Sequence, residues 1–543
     1  MKDSTPAAKI RARDLKLGRA LLVRNFQEAE EAFSRAGEEF LLFEGGGIKG
    51  VISRLVWEKA KLFGLKLPLE RLVFEVPSLS SEEILSAPQL FRLLKNPANR
   101  ILIEDSLFSL KEWHLLGLKE EEPPLALSFS PAFRDLRQKA LSAAAYTGLA
   151  RVFLVGGGVR DMVLGLPVAD FDLMVPEKVA PFAQNLARFL GGELIKSSLF
   201  GTYKIAWQGL EIDVTQSRWE YYEAPARLPR VFPGPLVWDL FRRDFTINAL
   251  ALDLKTLKIL DPFGGIADLG ARRLEILHLL SLVDDPTRIF RAARYATRFG
   301  LKPSVNFKRA LSLALDLEVL SLLSPARLKN EVFRILKEKD PLAPFEWLRA
   351  RKVLEKLPTS KDFSFSSLKR LLAGDLPAKR EEILEALLLL LAGEALVRWG
   401  VPDQKAKRLL SGFKEIAKER DFLCSEKVPL SAKVFWLEKL PRASILAAWA
   451  RWSELDRPLR EALAAFEVRP ELNGHALKAL GVPSGPLLGE LLKRLRAAKI
   501  DGQVKGRKEE IALLEKEFSH VLAAGSTRLD RDDGSATGGG DGA

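Results

Sequence analysis

The chain of 543 residues has room for roughly three to four domains, and its net charge of +13 points to a polyanionic partner, nucleic acid first. A single cysteine, Cys424, excludes an intrachain disulfide and a cysteine-based zinc centre, and the four histidines are too scattered to form a ligand set. The longest apolar run, Ala386 to Ala392, falls far short of the ~20 residues of a membrane span, and the polar N-terminus lacks a signal-peptide core, so a cytoplasmic protein without membrane contact is expected.

Residues 1–21 read as a polar lead-in. From 22 to 117 short apolar strands alternate with amphipathic helices: "FQEAEEAFSRAG" is a helix, "EEFLLFE" a strand, "IKGVIS" its hairpin partner and "LVWEKAKLFGL" a helix. The triplet Gly45 to Gly47 lies between the two strands, where a tight hairpin needs glycine's positive φ. A weaker copy follows in "SAPQLFRLLKNP", "NRILIEDSLFS" and "LKEWHLLGL". The whole resembles a pair of cystathionine β-synthase-type (CBS) domains, an α/β unit. Such pairs often bind adenine nucleotides through a Ser or Thr followed three residues later by Asp. Here Ser53 is followed by Val56, which cannot bind a ribose, and Ser109 by Glu112, which could; scaffolding or homodimerisation is the leading role and nucleotide binding the alternative.

The acidic, proline-containing stretch 118–130 reads as a linker, and its break in composition predicts that the rest folds without residues 1–127. Residues 131–270 alternate strands and helices. From 271 the pattern is nearly all helical, and the Gly-, Ser- and Asp-rich end, 525–543, is expected to be disordered.

A second glycine triplet stands in "VFLVGGGVRDMVLGLPVADFDLMV", Val152 to Val175. Strand, Gly156 to Gly158, then helix places backbone N–H groups at a helix start, where a phosphate can sit, with Arg160 in the first turn. The pattern is neither a P-loop nor a dinucleotide fingerprint. In "ADFDLMV", Asp170 and Asp172 alternate along a strand and therefore share a face. Two such anions repel unless a cation lies between them, and hard oxygen ligands suit Mg²⁺. Asp213, in "GLEIDVTQSR", is a candidate third carboxylate, ahead of Glu211 on the same face.

These blocks resemble the class II tRNA nucleotidyltransferase and bacterial poly(A) polymerase family. "SLFGTY", "DLFRRDFTINALALD", "DPFGGIADL" and "DDPTRIFRAARYATRFG" follow in the family's order, with Phe200 where His is common and Asp284 where Glu is usual. "LNGHALKALGVPSGPLLGELLKRL" resembles its RNA-handling end. The resemblance implies an α+β protein: a polymerase β-like nucleotidyltransferase head (131–270), a neck with nucleotide-reading helices (271–335), a helical body (336–460) and a tRNA-binding tail (461–524). It implies nucleotidyl transfer from ATP, or also CTP, to an RNA 3′-OH. Asp170 and Asp172 would hold two Mg²⁺, with Asp213 in support. Gly157, Arg160 and Arg243 would hold phosphates, and Asp244 and Asn248 would orient the ribose. On the helix after Asp284, Asp285, Arg288, Arg291 and Arg294 recur every third residue and spiral across one side. Asp285 and Arg288 would read the base: carboxylate and guanidinium match the amine-plus-acceptor edge of adenine or cytosine and oppose guanine and uracil. Arg291 and Arg294 would face phosphates or brace the pocket.

Addition of A alone to the tRNA acceptor end is the preferred expectation, because a CBS pair ahead of the transferase resembles long A-adding enzymes. Those commonly also carry a DHH-type phosphoesterase region, which this sequence does not contain. Full CCA addition, poly(A) synthesis, and a non-catalytic RNA-binding or nucleotide-sensing protein stand as alternatives.

Overall fold

The computed structural model of the chain describes residues 9–11, 18–19, 22–23, 26–34, 39–45, 48–65, 67–76, 78–79, 84–86, 96, 98, 100–103, 106–109, 127–168, 170–196, 201–360 and 363–518. The expected disordered end, most of the lead-in, most of the linker and Ser198 to Phe200 lie outside them. The chain forms two compact units, one of residues 1–323 with 343–357 and one of 324–342 with 358–543. The division therefore falls at Leu323, earlier than the expected neck–body boundary, and 343–357 returns to the first unit.

In the N-terminal segment, β1 (Leu22–Val23), α1 (Phe26–Ser34), β2 (Phe40–Gly45), β3 (Ile48–Ser53) and α2 (Arg54–Leu62) follow one another. β1 runs parallel to β2, and β2 pairs antiparallel with β3, with Gly45 opposite Ile48. That register pairs the strands on either side of the first glycine triplet, as the expected hairpin requires. Ser53 caps α2, its Oγ accepting from Val56 N at 3.2 Å, which gives this serine a structural use. The same parallel-then-antiparallel pairing recurs in β4 (Ser78–Leu79), β5 (Arg100–Ile103) and β6 (Ser106–Ser109). Glu112 lies outside the described residues.

The head opens with α3 (Pro131–Thr147), which Ser130 caps and Gly148 ends at φ 68°. It continues through β7 (Phe153–Val155), α4 (Gly157–Val163), β8 (Asp170–Val175), α5 (Val179–Leu190), β9 (Glu193–Lys196), β10 (Tyr203–Trp207) and β11 (Leu210–Gln216). The hairpin β12 (Arg218–Tyr221) and β13 (Arg230–Pro233), helix α6 (Leu236–Phe241), and strands β14 (Ala251–Asp253) and β15 (Ile259–Leu260) complete it. Seven strands form one mixed sheet in the order β9-β10-β11-β8-β7-β14-β15. Phe153, Val155, Met174, Ala251 and Leu277 build part of the core beneath it.

The neck follows as α7 (Ser281–Asp284), α8 (Thr287–Phe299) and α9 (Val305–Asp316). Ile289, Phe290, Ala292 and Ala293 are buried, so α8 packs with the face expected of it. The second unit is helical. Its helix α10 (Pro325–Leu336) is capped by Ser324, α11 (Arg380–Ala392) is buried over most of its length, and α12 (Asp403–Lys418) and α13 (Arg442–Arg451) share its core. Leu472, Leu477, Val482, Leu491, Leu495 and Leu514 form a separate small core near the end.

The composition break at 118–130 predicts a separable N-terminal segment, and the packing runs the other way. That segment shares the compact unit of the head and neck. Asn306 donates to Glu75 O at 3.0 Å and accepts from Glu75 N at 2.7 Å. Arg309 pairs with Glu75 at 2.7 Å, Arg71 with Asp316, and Lys59 with the buried Asp284. A linker's composition reports its solvation, and says nothing about contacts its flanks make elsewhere.

Glu275, at the entrance to the neck, is 7% exposed. It accepts from Ser304 Oγ, Asn306 Nδ2 and Ile276 N. Burial, reinforced by Asp268, pushes its carboxyl up from 4.5 to about 7. The folded protein therefore holds this proton more tightly than the unfolded chain, so stability falls as pH rises from about 4.5 to about 7 and levels off above. This tighter proton binding corresponds to on the order of 3 kcal/mol. Thermal unfolding across this range should show the midpoint dropping towards neutrality, with a flatter profile for Glu275→Gln; identical profiles would refute the assignment.

Candidate active site

The site starts from the pairing of two strands. β8 and β11 run parallel, with Asp170 opposite Glu211 and Asp172 opposite Asp213. The alternation in each sequence therefore puts all four carboxylates on one face of the sheet. Asp170 is exposed and Asp172 half-buried. Burial raises the Asp172 carboxyl above its usual range; Arg243 opposes this, while Asp213 and Asp170 add to it. From β10, Lys204 reaches across: its Nζ lies 2.9 Å from Glu211 Oε2 and 3.1 Å from Asp213 Oδ1. Among the described residues no three acidic, histidine or cysteine side chains close into a metal-binding group. Asp170 and Asp172 form an open pair, and Asp213 stands beside it, held by a lysine that the sequence analysis did not assign.

Arg243 follows α6. Its Nη2 lies 3.3 Å from Asp239 Oδ2 and its Nη1 donates to Asn248 O at 3.4 Å, while its Nε has no hydrogen-bond partner among the described residues. Gly156 makes room for it. This residue, with φ 75° and ψ −130°, caps α4, and a Cβ there would collide with Arg243 Nη1. Gly156 is thus the glycine of the triplet with a positive φ, and Gly157 begins α4.

Arg160 is 4% exposed and already engaged. Its Nε and Nη2 donate to Asp161 Oδ1 at 2.9 and 2.8 Å, its Nη1 donates to Asn248 Oδ1 at 2.6 Å, and Phe299 lies 4.7 Å from the guanidinium carbon. Asn248, in a single 3₁₀ turn, passes the network on by donating from Nδ2 to Asp244 Oδ1 at 2.8 Å. Asp244 Oδ2 accepts from Arg291 Nε at 2.6 Å. Burial alone would raise the Asp244 carboxyl, but Arg291, Asn248 and Arg288 outweigh it and hold it below the usual range. Asp244 and Asn248 therefore tie the head to the neck.

Asp285 precedes α8 and accepts at Oδ1 from Thr287 N and Oγ1 at 3.0 and 2.6 Å. Arg288 is 5% exposed. Its Nη1 donates to Ser281 Oγ at 2.5 Å and its Nη2 to Arg242 O at 2.6 Å. Arg291 also lies over Tyr295, and Arg294 is half-buried farther along α8. The candidates thus form two groups, the carboxylate face with Arg243 and the Asp244–Asn248 network with α8, joined where Arg243 meets Asn248.

Comparison with known proteins places this geometry. Residues 152–275 match the poly A polymerase head domain. Over 393 residues the chain is 30% identical to the A-adding tRNA nucleotidyltransferase of Halalkalibacterium halodurans, a match covering 68% of this chain and 89% of that protein. The chain belongs to the tRNA nucleotidyltransferase family. It is also 30% identical over 397 residues to the A-adding enzyme of Geobacter sulfurreducens, covering 67% of this chain but only 44% of that longer relative. Among solved structures, a CCA-adding enzyme in an apo form covers 73% of this nucleotidyltransferase and 96% of its own chain, with 28% identity and a TM-score of 0.60. The Thermotoga maritima CCA-adding enzyme complexed with tRNA matches 74% of this chain and 96% of its own, with 26% identity and a TM-score of 0.56.

Gly156→Ala should lower nucleotidyl transfer by about a hundredfold or more, because a methyl group there displaces Arg243 and the backbone conformation resists any side chain at a cost of about 1–3 kcal/mol. A steady-state incorporation assay on soluble protein checks this, and activity close to the unmodified enzyme would count against the placement of Arg243.

Proposed function

We propose that this nucleotidyltransferase adds AMP from ATP to the 3′ end of tRNA, without a template. The observation that carries the reading is the alignment of Asp172 with Asp213 on adjacent parallel strands, with Asp170 one pleat away on the same face. The A-adding names of the relatives from H. halodurans, G. sulfurreducens and Aquifex aeolicus favour ATP as the donor. The CCA-adding names among the structural neighbours support a second reading, in which CTP is also used.

The open carboxylate pair suits a divalent cation, because burial and like charge both work against ionised Asp172. Two Mg²⁺ held by Asp170 and Asp172 would supply the charge neutralisation and 3′-OH activation that phosphoryl transfer needs. Asp213 adds negative charge beside that pair, and Lys204 keeps it oriented. Arg243, with an unpartnered Nε, faces the triphosphate together with the backbone at Gly157. Arg160 has its guanidinium committed to Asp161 and Asn248, so its part is to hold Asn248 in place for the ribose beside Asp244. Asp285 and Arg288 accept the amine and supply a donor to the ring nitrogen of adenine or cytosine, with Arg291 and Arg294 bracing that wall. The helical second unit grips the acceptor arm through phosphates. The repeated N-terminal strand pattern is read as a CBS-type pair and as the surface through which two copies would associate.

Asp170→Ala or Asp172→Ala should abolish incorporation, a drop of about a thousandfold or more, while tRNA affinity stays within about threefold, since RNA binding rests on distant basic helices. Substantial Mg²⁺-dependent incorporation by Asp170→Ala would sink the carboxylate assignment. Three tRNAs, ending at the discriminator base, at C and at CC, offered each nucleoside triphosphate, separate the readings. A-addition extends only the CC end, and only with ATP. CTP use on the shorter tRNAs means CCA addition, and a long A tail means poly(A) synthesis. Good use of GTP or UTP would overturn base reading by Asp285 and Arg288.

A further inference from the structure

Asp284 stands immediately before the base-reading Asp285, and its side chain is 1% exposed. Its Oδ2 accepts a 2.5 Å hydrogen bond from Lys59 Nζ, contributed by α2 of the N-terminal segment, 225 residues away in sequence. The ammonium is itself only 14% exposed and lies 5.6 Å from the centre of the Tyr222 ring. His278 Nε2 is 3.5 Å from the same oxygen, but burial, with Lys59 and Arg288 adding to it, holds that imidazole neutral. Lys59 is therefore the cation directly paired with Asp284. Burial pushes the Asp284 carboxyl up, and Lys59 is the main force against that, followed by Arg288.

The next cation able to answer Asp284 is Arg288, which already acts on it electrostatically. Its guanidinium is set by Ser281 Oγ and Arg242 O. Lys59, Asp284 and Arg288 all line one cavity of about 750 Å³, together with Tyr222 and Trp238, so the two cations and the carboxylate share one space. A buried carboxylate that loses its partner attracts another cation or takes up a proton. Either response alters the start of α8.

We propose that Lys59 is a positioning residue for nucleotide selection: by pairing with Asp284 it leaves Arg288 bonded to Ser281 and Arg242 and keeps Asp285 in place at the head of α8. The N-terminal segment thereby completes the nucleotide-reading wall of the transferase. This rests on the reading of Asp285 and Arg288 as the base-recognising pair.

The test uses the full chain with tRNA ending in CC and each of the four nucleoside triphosphates. Lys59→Met should raise the KM for ATP about tenfold and reduce the preference for ATP over the other nucleotides by a similar factor, with tRNA affinity within about twofold. Lys59→Arg should keep both near the unmodified values. The neutral pair Lys59→Met/Asp284→Asn should recover most of the preference, because no buried charge is left to attract Arg288; it also carries the test if the single variant does not fold. Asp285→Ala is the control for base reading. Unchanged KM and preference in Lys59→Met, alongside lost preference in Asp285→Ala, overturns the role of Lys59 alone. Equal loss in Lys59→Met and in the neutral pair reduces Lys59 to packing and also overturns it. Full preference in Asp285→Ala overturns the base-reading assignment, and the role of Lys59 with it.

Discussion

Like charges on neighbouring strands are the constraint around which the head is arranged. Asp172 faces Asp213, and Asp170 faces Glu211, across a parallel pair whose interior is apolar. Such a face is unstable by itself, because each carboxylate raises the cost of ionising the next, most of all at the half-buried Asp172. The surrounding residues lower that cost. Lys204 bridges the β11 carboxylates, and Arg243 acts electrostatically on Asp172 through the gap that Gly156 leaves open. The charge that remains uncompensated is the pair on β8, where a divalent ion and a triphosphate fit the same logic.

Selectivity calls for a second part of the protein, held firmly to the first. Asn248 makes that join with three of its four polar groups: its backbone carbonyl accepts from Arg243, its Oδ1 from Arg160, and its Nδ2 donates to Asp244. Asp244 then passes to Arg291 on the neck helix. From Arg160 through Asn248 and Asp244 to Arg291 the network is largely buried and hydrogen-bonded, which favours one fixed geometry over many loose ones. Lys59 and Asp284 close the far side of the neck. Removing one partner from a buried pair of this kind costs about 3–5 kcal/mol, against about 0–1 kcal/mol for a surface pair, so the N-terminal segment is energetically part of the catalytic unit.

Much of this was legible in the sequence, because it rests on local rules. The alternation of "DFDLMV" and of "LEIDVTQ" gives the shared face, glycine before a helix gives the turn, and the spacing of apolar residues in α8 gives its packed side. What was not legible depends on pairing register or on residues far apart in the chain. Nothing in "TYKIAW" says that its lysine will lie beside Asp213, since this depends on the register in which β10 pairs with β11. Nothing in "LVWEKAKL" distinguishes Lys59 from the exposed cations around it until α2 is packed on the neck. The partners of Arg160 were illegible for a similar reason. Sequence marks an arginine near a helix start as a phosphate ligand, but two carboxylate bonds and the amide of Asn248 had already engaged it.

The strand order also bears on how the head assembles. β10 and β11 are joined by a tight turn, and all of β10 pairs with Leu210 to Val214 of β11, so that hairpin can form early and by itself. The parallel pairing of β11 with β8 joins distant stretches of chain and belongs to the slower, later steps. Lys204 sits on the hairpin, opposite Asp213 in register. The cation thus travels with the carboxylates it neutralises, and when the hairpin docks, β8 meets a strand whose negative charge is already partly cancelled.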